Sequence, residues 1–270
     1  MSPDLVRTVS STLRLQVTAP ADLVFSVAVA ADQPPTSETL SITVDGALLD
    51  RTEILAAGQT RLHRVASAPV GSLVMQYDAV VPLGDGPAPL TELESIEFTR
   101  PSRYCDSDRL SPVAHSHFGH LEGAELVQEA VSWVLTHITY APGSSGPVDG
   151  ALETYLRRRG ICRDTSQLVI AFLRALGVPA RLVSVYAPGL QPMDFHAVTE
   201  VAIDGQWYVV DATGLAPRGS LLRIATGRDA ADTAFLTVNG GFADLVSMQV
   251  EAVVEPGLPA DDGLALTQLR

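Results

Sequence analysis

The sequence predicts an α+β protein in two parts: a β-sandwich-like domain over residues 1–100 and a mixed domain over 101–255, followed by a tail at 256–270. Three observations predict it. The first hundred residues alternate apolar and polar side chains between turn residues, the period of half-buried strands. Helical spacing begins only after PLGDGPAPLTE, a Gly- and Pro-rich linker near residues 82–92. A nearly all-apolar helix is then followed by a strong hairpin signal and further strands.

In the first part Leu13, Leu15 and Val17 alternate with polar partners, as do Leu23, Phe25, Val27 and Val29. ETLSITVDG reads as a strand ending in a turn at Asp45 and Gly46. RLHRVAS and GSLVMQYDAVV add two more strands. Strands at this spacing, broken by Gly, Pro and Asp, suggest a small sandwich or barrel. No residue pattern here points to chemistry.

Beyond the linker, Leu126, Val127, Ala130, Val131, Val134 and Ile138 recur at helical spacing. GSSGPVDG interrupts, and ALETYLRRR forms a short helix. ICRDTSQLVIAFLRAL is the next helix, stopped by Gly177 and Pro179. It is apolar nearly all round, which predicts burial. RLVSVYA follows as a strand, then HAVTEVAI and QWYVVDA flank the turn pair Asp204 and Gly205. TAFLTV and LVSMQVEAVV read as late strands of the second part.

The chain has 270 residues, 46% apolar and 18% charged, as a globular protein does. Its formal net charge is −13, from 18 basic and 31 acidic side chains, with no offsetting basic block. That argues against nucleic acid or an anionic membrane as partner, since both need a basic surface. The N-terminus has no signal-peptide pattern, and no run of 18 apolar residues occurs. The expectation is a soluble, cytoplasmic protein. Two cysteines make no disulfide framework. They leave one disulfide, two free thiols, or one working thiol and a bystander.

The chemistry starts with the hairpin. With Asp204 and Gly205 as its loop, Ile203 pairs with Gln206, Val198 faces Asp211, and His196 faces Thr213. Asp211 then sits diagonally from His196 on one face, roughly 7–8 Å apart in the backbone and within side-chain reach. One ring N–H of His196 can donate to the Asp211 carboxylate, leaving the other nitrogen free to act. Cys162 opens the apolar helix. A helix N-terminus carries partial positive charge and unpaired N–H groups, which favour a thiolate and can hold an oxyanion. A thiol, a base and an orienting acid are the parts of nucleophilic catalysis.

GICRD, ALGVPARLVSVY, DFHAVTEV and WYVVDAT together resemble the transglutaminase-like superfamily, and within it a bacterial branch assigned to cysteine proteases. RPSRYCDSD and LLRIATGRDAADTAF are also similar to that branch, so the likeness covers residues 101 to about 240. The resemblance implies a papain-like core, with the cysteine on a central helix packed on an antiparallel sheet. It implies Cys162 as nucleophile, His196 as base and Asp211 as orienting acid. Ala212 departs from the family pattern, where proline is common. The oxyanion helper does not map cleanly: the Cys162 backbone N–H comes first, with a side chain near Trp133 or Tyr140 as another choice.

Each residue also has a plainer reading. Cys162 could be a small buried hydrophobe, or could pair with Cys105, although a cytosolic setting disfavours that disulfide. Cys105 reads as a packed thiol. His196 alone could be a satisfied core residue, and Asp211 alone a turn cap. Arg163 and Asp164 read as local charge pairs. HSHFGH, with His115, His117 and His120, reads as a surface loop rather than a zinc site. No cofactor is expected. The function read from the sequence is a cysteine-dependent amide hydrolase, a protease or amidase working through a thioester on a peptide or protein substrate. Acyl transfer to an amine and a non-catalytic peptide-binding module are the alternatives.

Overall fold

The structure, a computed structural model, describes residues 5–270. Its first part comprises β1 (Val6–Ala19), β2 (Ala21–Phe25), β3 (Ser37–Val44), β4 (Ala47–Leu48), β5 (Thr52–Leu55), β6 (Arg61–Ala68) and β7 (Gly71–Pro82). Then come α1 (Glu92–Glu97), α2 (Ser107–Phe118), α3 (Gly123–His137), β8 (Thr139–Tyr140), α4 (Ala151–Arg157), β9 (Arg159–Gly160) and α5 (Cys162–Ala175). The chain continues through β10 (Ala180–Tyr186), β11 (His196–Ile203), β12 (Gln206–Val210), β13 (Leu222–Gly227), β14 (Leu236–Asn239) and β15 (Phe242–Glu255). Among the described residues no helix is long and apolar enough to cross a membrane.

The alternation read in the first part is the pleat of β1: Val9, Leu13, Leu15 and Val17 point into the core, with more exposed residues between them. Val27 and Val29 are buried as expected, but lie beyond the end of β2. The linker after β7 is irregular until Thr91, whose side chain caps α1 in a capping box with Glu94.

Two antiparallel sheets form this part, in the orders β15-β1-β7-β3-β4 and β14-β2-β6-β5. Their inner faces share one core, including Leu13, Leu23, Phe25, Ile42 and Met75. The strand order corrects the boundary expected at residue 255. The late strands belong to these first sheets: β15 pairs along β1, and β14 along β2. The period of two in LVSMQVEAVV announces a strand, and Val250, Ala252 and Val254 are its buried face. Alternation carries no information about which distant strand supplies the hydrogen bonds. The segment after Glu255 is also more than a free tail. Leu269 is buried, and Thr267 bridges to Val209.

The second part is a mixed α+β unit. Its sheet runs β12-β11-β10-β13, all antiparallel. α5 packs on β10 and β11 on one side and on α2, α3 and α4 on the other. Its residues from Asp164 to Arg174 are all buried, which explains the apolar sequence all round the helix. Arg174 anchors its C-terminal end. The guanidinium donates to the carbonyls of Ala180, Arg100 and Arg228 and to Ser102 Oγ. The two parts are joined by burial: Tyr186, Leu222 and Ile224 belong to the same core as the first sheets. The Tyr186 hydroxyl donates to Val27 O at 2.9 Å and lies 3.0 Å from Ser11 Oγ.

Candidate active site

Cys162 is the first residue of α5, and the turn before it is shaped to put it there. A Cβ added at Gly160 would come within 2.7 Å of Asp164 Cβ, so only glycine admits the Asp164 side chain so close. Asp164 in turn accepts from the backbone N–H of Ile161 at 2.9 Å, satisfying a donor at the helix start. Its other oxygen receives Arg163 Nε at 3.1 Å and Nη2 at 2.9 Å. Arg163 also donates to Gly146 O and Ser145 Oγ. The first turn of α5 is thus tied to the loop before α4. Cys162 itself is partly exposed, and Cys105 is fully buried; both are free thiols.

His196 opens β11 and Asp211 directly follows β12. The hairpin register is the one the turn predicts, with Ile203 opposite Gln206 and Thr199 opposite Val210. Nε2–H of His196 donates to Asp211 Oδ2 at 2.9 Å, and both side chains are 1% exposed. The other carboxylate oxygen accepts from the backbone N–H and hydroxyl of Thr213, at 2.8 and 2.7 Å. Asp211 is therefore held from both sides. Nδ1 of His196 is buried with no well-formed hydrogen bond. The Cys162 thiol acts on the same ring, near enough to favour its charged form.

The electrostatics follow from this packing. Burial disfavours the imidazolium, but the hydrogen bond to Asp211 and the neighbouring thiol outweigh it and push the His196 pKa up to about 10. Burial also works to raise Asp211; the hydrogen bonds from His196 and Thr213 outweigh it and hold the carboxylate below its ordinary value. Tyr140, on β8 beside β9, has its phenol raised by burial and then by the neighbouring Cys162, Asp194 and Asp211. It remains a protonated donor near the thiol. Burial raises the Asp194 carboxyl, two residues before the His196 strand. Burial pushes the Cys105 thiol up to about 12.

The helix and the hairpin are locked in register by two buried side chains. Ser166, one turn beyond Cys162, donates its hydroxyl to Ala197 O at 3.0 Å. Thr199 of β11 donates back to Ser166 O at 3.1 Å. These bonds fix the distance between the strand that starts at His196 and the helix that starts at Cys162.

The family model of the transglutaminase-like superfamily matches residues 117–212. A crystal structure from Cytophaga hutchinsonii, of a protein provisionally described as a cysteine protease, is 30% identical with a TM-score of 0.87. That match covers 100% of this chain and 99% of the other. The chain belongs to the transglutaminase-like superfamily. An uncharacterised protein of Mycobacterium leprae is 26% identical over 185 residues, covering 61% of this chain and 64% of its own. One of Mycobacterium tuberculosis is 40% identical over 62 residues, covering 23% and 20%. The chain spans less than two thirds of the length of these curated relatives.

Within this transglutaminase-like core, the three residues singled out by sequence meet at one place. Two others escaped notice. Thr213 sets the Asp211 carboxylate, and its signal was the DAT triplet. Ser166 was hidden inside an apolar run, where a single hydroxyl reads as filler. HSHFGH corrects an expectation: it is not a loop, since His115 and His117 lie in α2. Leu110, Ala114 and Phe118 recur every four residues and bury that helix, a pattern the histidines mask. His115 Nδ1 lies 2.9 Å from Ser111 O, and the His117 ring packs against Trp133. Trp133 itself packs in a stack of His137 and Tyr155, with the Arg158 guanidinium 4.7 Å from its ring centre.

Proposed function

We propose that this protein is a cysteine-dependent amide hydrolase, a protease or amidase with Cys162 as nucleophile, His196 as base and Asp211 as orienting acid. The observation that carries the reading is the hydrogen bond of His196 Nε2 to Asp211, with Nδ1 left without a partner and the thiol acting on the same ring. Nδ1 takes the thiol proton before substrate arrives, leaving an imidazolium beside Sγ, and Sγ then attacks the substrate carbonyl carbon. The oxyanion is held by the Cys162 backbone N–H and the Tyr140 phenol. The imidazolium then protonates the leaving amine, the C–N bond breaks, and a thioester remains. Water gives a proton to His196 and attacks the thioester, releasing the acid and restoring the thiolate.

A raised His196 suits the second proton transfer, because an imidazolium that persists at neutral pH is ready to protonate a poor leaving group. The substrate class is a peptide or protein amide. Asp194, whose charge reaches Tyr140, favours neutral or basic groups beside the scissile bond. Two free thiols suit the reducing cytoplasm. The first two sheets, read as a sandwich domain, support the catalytic sheet through the shared core.

Iodoacetamide at neutral pH tests the reading. Cys162 is expected to label well ahead of Cys105, and His196→Ala to slow that labelling. Mass spectrometry of wild type mixed with a peptide substrate is expected to show an acyl adduct on Cys162. With an added primary amine, a product bearing that amine marks acyl transfer in place of hydrolysis. Equal slow labelling of both thiols, unchanged by His196→Ala, defeats the reading.

A further inference from the structure

The segment 256–270 lies outside the matched family span, and no secondary-structure element except one bridge is assigned to it. It is nonetheless tied to both ends of the loop that carries Asp211. At the start of the loop, Val209 N–H donates to Thr267 O at 2.7 Å, so the segment pairs with the outer edge of β12. At its end, Arg218 is 5% exposed and grips Asp261 with Nε at 3.0 Å and Nη2 at 2.7 Å. The Arg218 backbone N–H donates to the same carboxylate at 2.7 Å, and Gly263 N–H adds a fourth bond at 2.9 Å. Nη1 of Arg218 closes the ring by donating to Val209 O at 3.3 Å.

The segment is anchored on its far side too. Leu269 is 1% exposed, in a core shared with Val185, Val198 and Val209. Arg7 of β1 donates to Arg270 O, and Arg270 Nε donates to Gly84 O at 3.1 Å. Between the segment and the loop lies a cleft of about 210 Å³ lined by Asp211, Leu215, Arg218 and Asp261. Ala216, with Leu215 packed against it, belongs to the same core as Leu269, so the loop is held by that shared core and, at its ends, by the polar contacts of the segment.

We propose that segment 256–270 is a strap that positions the Asp211 loop, with Asp261 and Arg218 as positioning residues for the reaction. The proposal rests on the triad reading for its kinetic consequence, but its structural consequence can be read without any activity. If the strap lets go, Asp211 drifts from His196 Nε2, and the imidazole loses the bond that orients it. A carboxylate that orients a base without touching substrate affects turnover more than substrate binding.

The test is the titration of His196 followed by NMR of imidazole-labelled protein, in wild type, Asp261→Ala and Arg218→Lys. Arg218→Lys keeps the buried charge but loses the two-pronged grip, so it reads the strap even if Asp261→Ala does not fold. The His196 midpoint is expected to fall in either variant, with kcat down by about tenfold to a hundredfold and KM little changed. Val250→Ala, in the β15 core, serves as a control of comparable destabilisation. It is expected to lower Tm and leave the His196 midpoint where it was. A lowered Tm with the wild-type His196 midpoint in both strap variants overturns the proposal. A Cys162→Ala protein that retains full amide hydrolysis overturns the triad reading instead, and the His196 titration still tests the strap on its own.

Discussion

Arg223 on β13 reaches Glu200 on β11 across the intervening strand, with Nη2 2.6 Å from Oε1 and both side chains buried. Nη1 of Arg223 and Nε of Arg181 both donate to the other oxygen at 2.8 Å. Arg181 in turn lies against the Trp207 ring, its guanidinium 3.9 Å from the ring centre. One carboxylate thus holds two buried cations and ties β10, β11 and β13 together.

Glu200→Ala leaves the buried Arg223 without its counter-charge, while Arg181 keeps only Glu94, 2.9 Å from its Nη1. The expected loss is about 3–5 kcal/mol, read from urea denaturation. Replacing Glu200 with Gln keeps the shape and some hydrogen bonds, and is expected to cost less. A loss below about 1 kcal/mol for Glu200→Ala is inconsistent with an uncompensated buried Arg223.

The same carboxylate gives the protein an acid limit. Burial raises Glu200, but Arg223 and Arg181 outweigh it and hold it near about 2, below its ordinary 4.5. The folded state therefore binds this proton less readily than the unfolded chain. The stability it contributes is present above pH 4.5 and is lost as pH falls toward about 2. Denaturation midpoints across that window should fall more steeply in wild type than in Glu200→Gln.

His196 sets the opposite limit. Its value is raised from 6.5 to about 10, so the folded state holds its proton more tightly. Its contribution is full below pH 6.5 and is lost as pH rises through about 10. Wild-type stability measured from pH 6 to 10.5 is expected to decline, and His196→Gln to flatten that decline.

Gly160→Ala forces a methyl to within 2.7 Å of Asp164 Cβ. Asp164 must move, uncapping Ile161 and freeing Arg163. The expected cost is about 1–3 kcal/mol, with slower alkylation of Cys162 because the helix start is displaced. Calorimetry together with timed labelling checks both parts.

Ser166→Ala removes the hydroxyl that donates to Ala197 O, and Thr199→Val removes the hydroxyl that donates to Ser166 O. Each is expected to cost about 1–3 kcal/mol. Because both bonds join α5 to β11, the pair should be coupled. A double-mutant cycle with a coupling energy under about 0.3 kcal/mol would show the two acting independently.

Much of the candidate site is legible in the chain because its signals are local. The Asp204-Gly205 turn sets the pairing of β11 with β12, and that register alone brings His196 beside Asp211. The glycine before Cys162 and the apolar run after it announce a buried helix with a thiol at its mouth. Trp207 at 0% exposure and Tyr208 between buried and exposed follow from strand alternation. What escaped were contacts between residues far apart in sequence. Ser166 meets Ala197 across 31 positions, and Arg218 meets Asp261 across 43.

The sequence by itself determined the elements, the turn that sets the hairpin, and the residue types that could form a nucleophilic centre. Periodicity, turn chemistry and helix-end preferences all act within a few residues, so a single chain displays them. Only the tertiary structure decided that β14 and β15 return to the first sheets, that HSHFGH is helical, and that the last fifteen residues brace the Asp211 loop. Those outcomes depend on which distant hydrogen-bonding edges and apolar faces meet. That choice is made by burial over the whole molecule, and no local pattern encodes it.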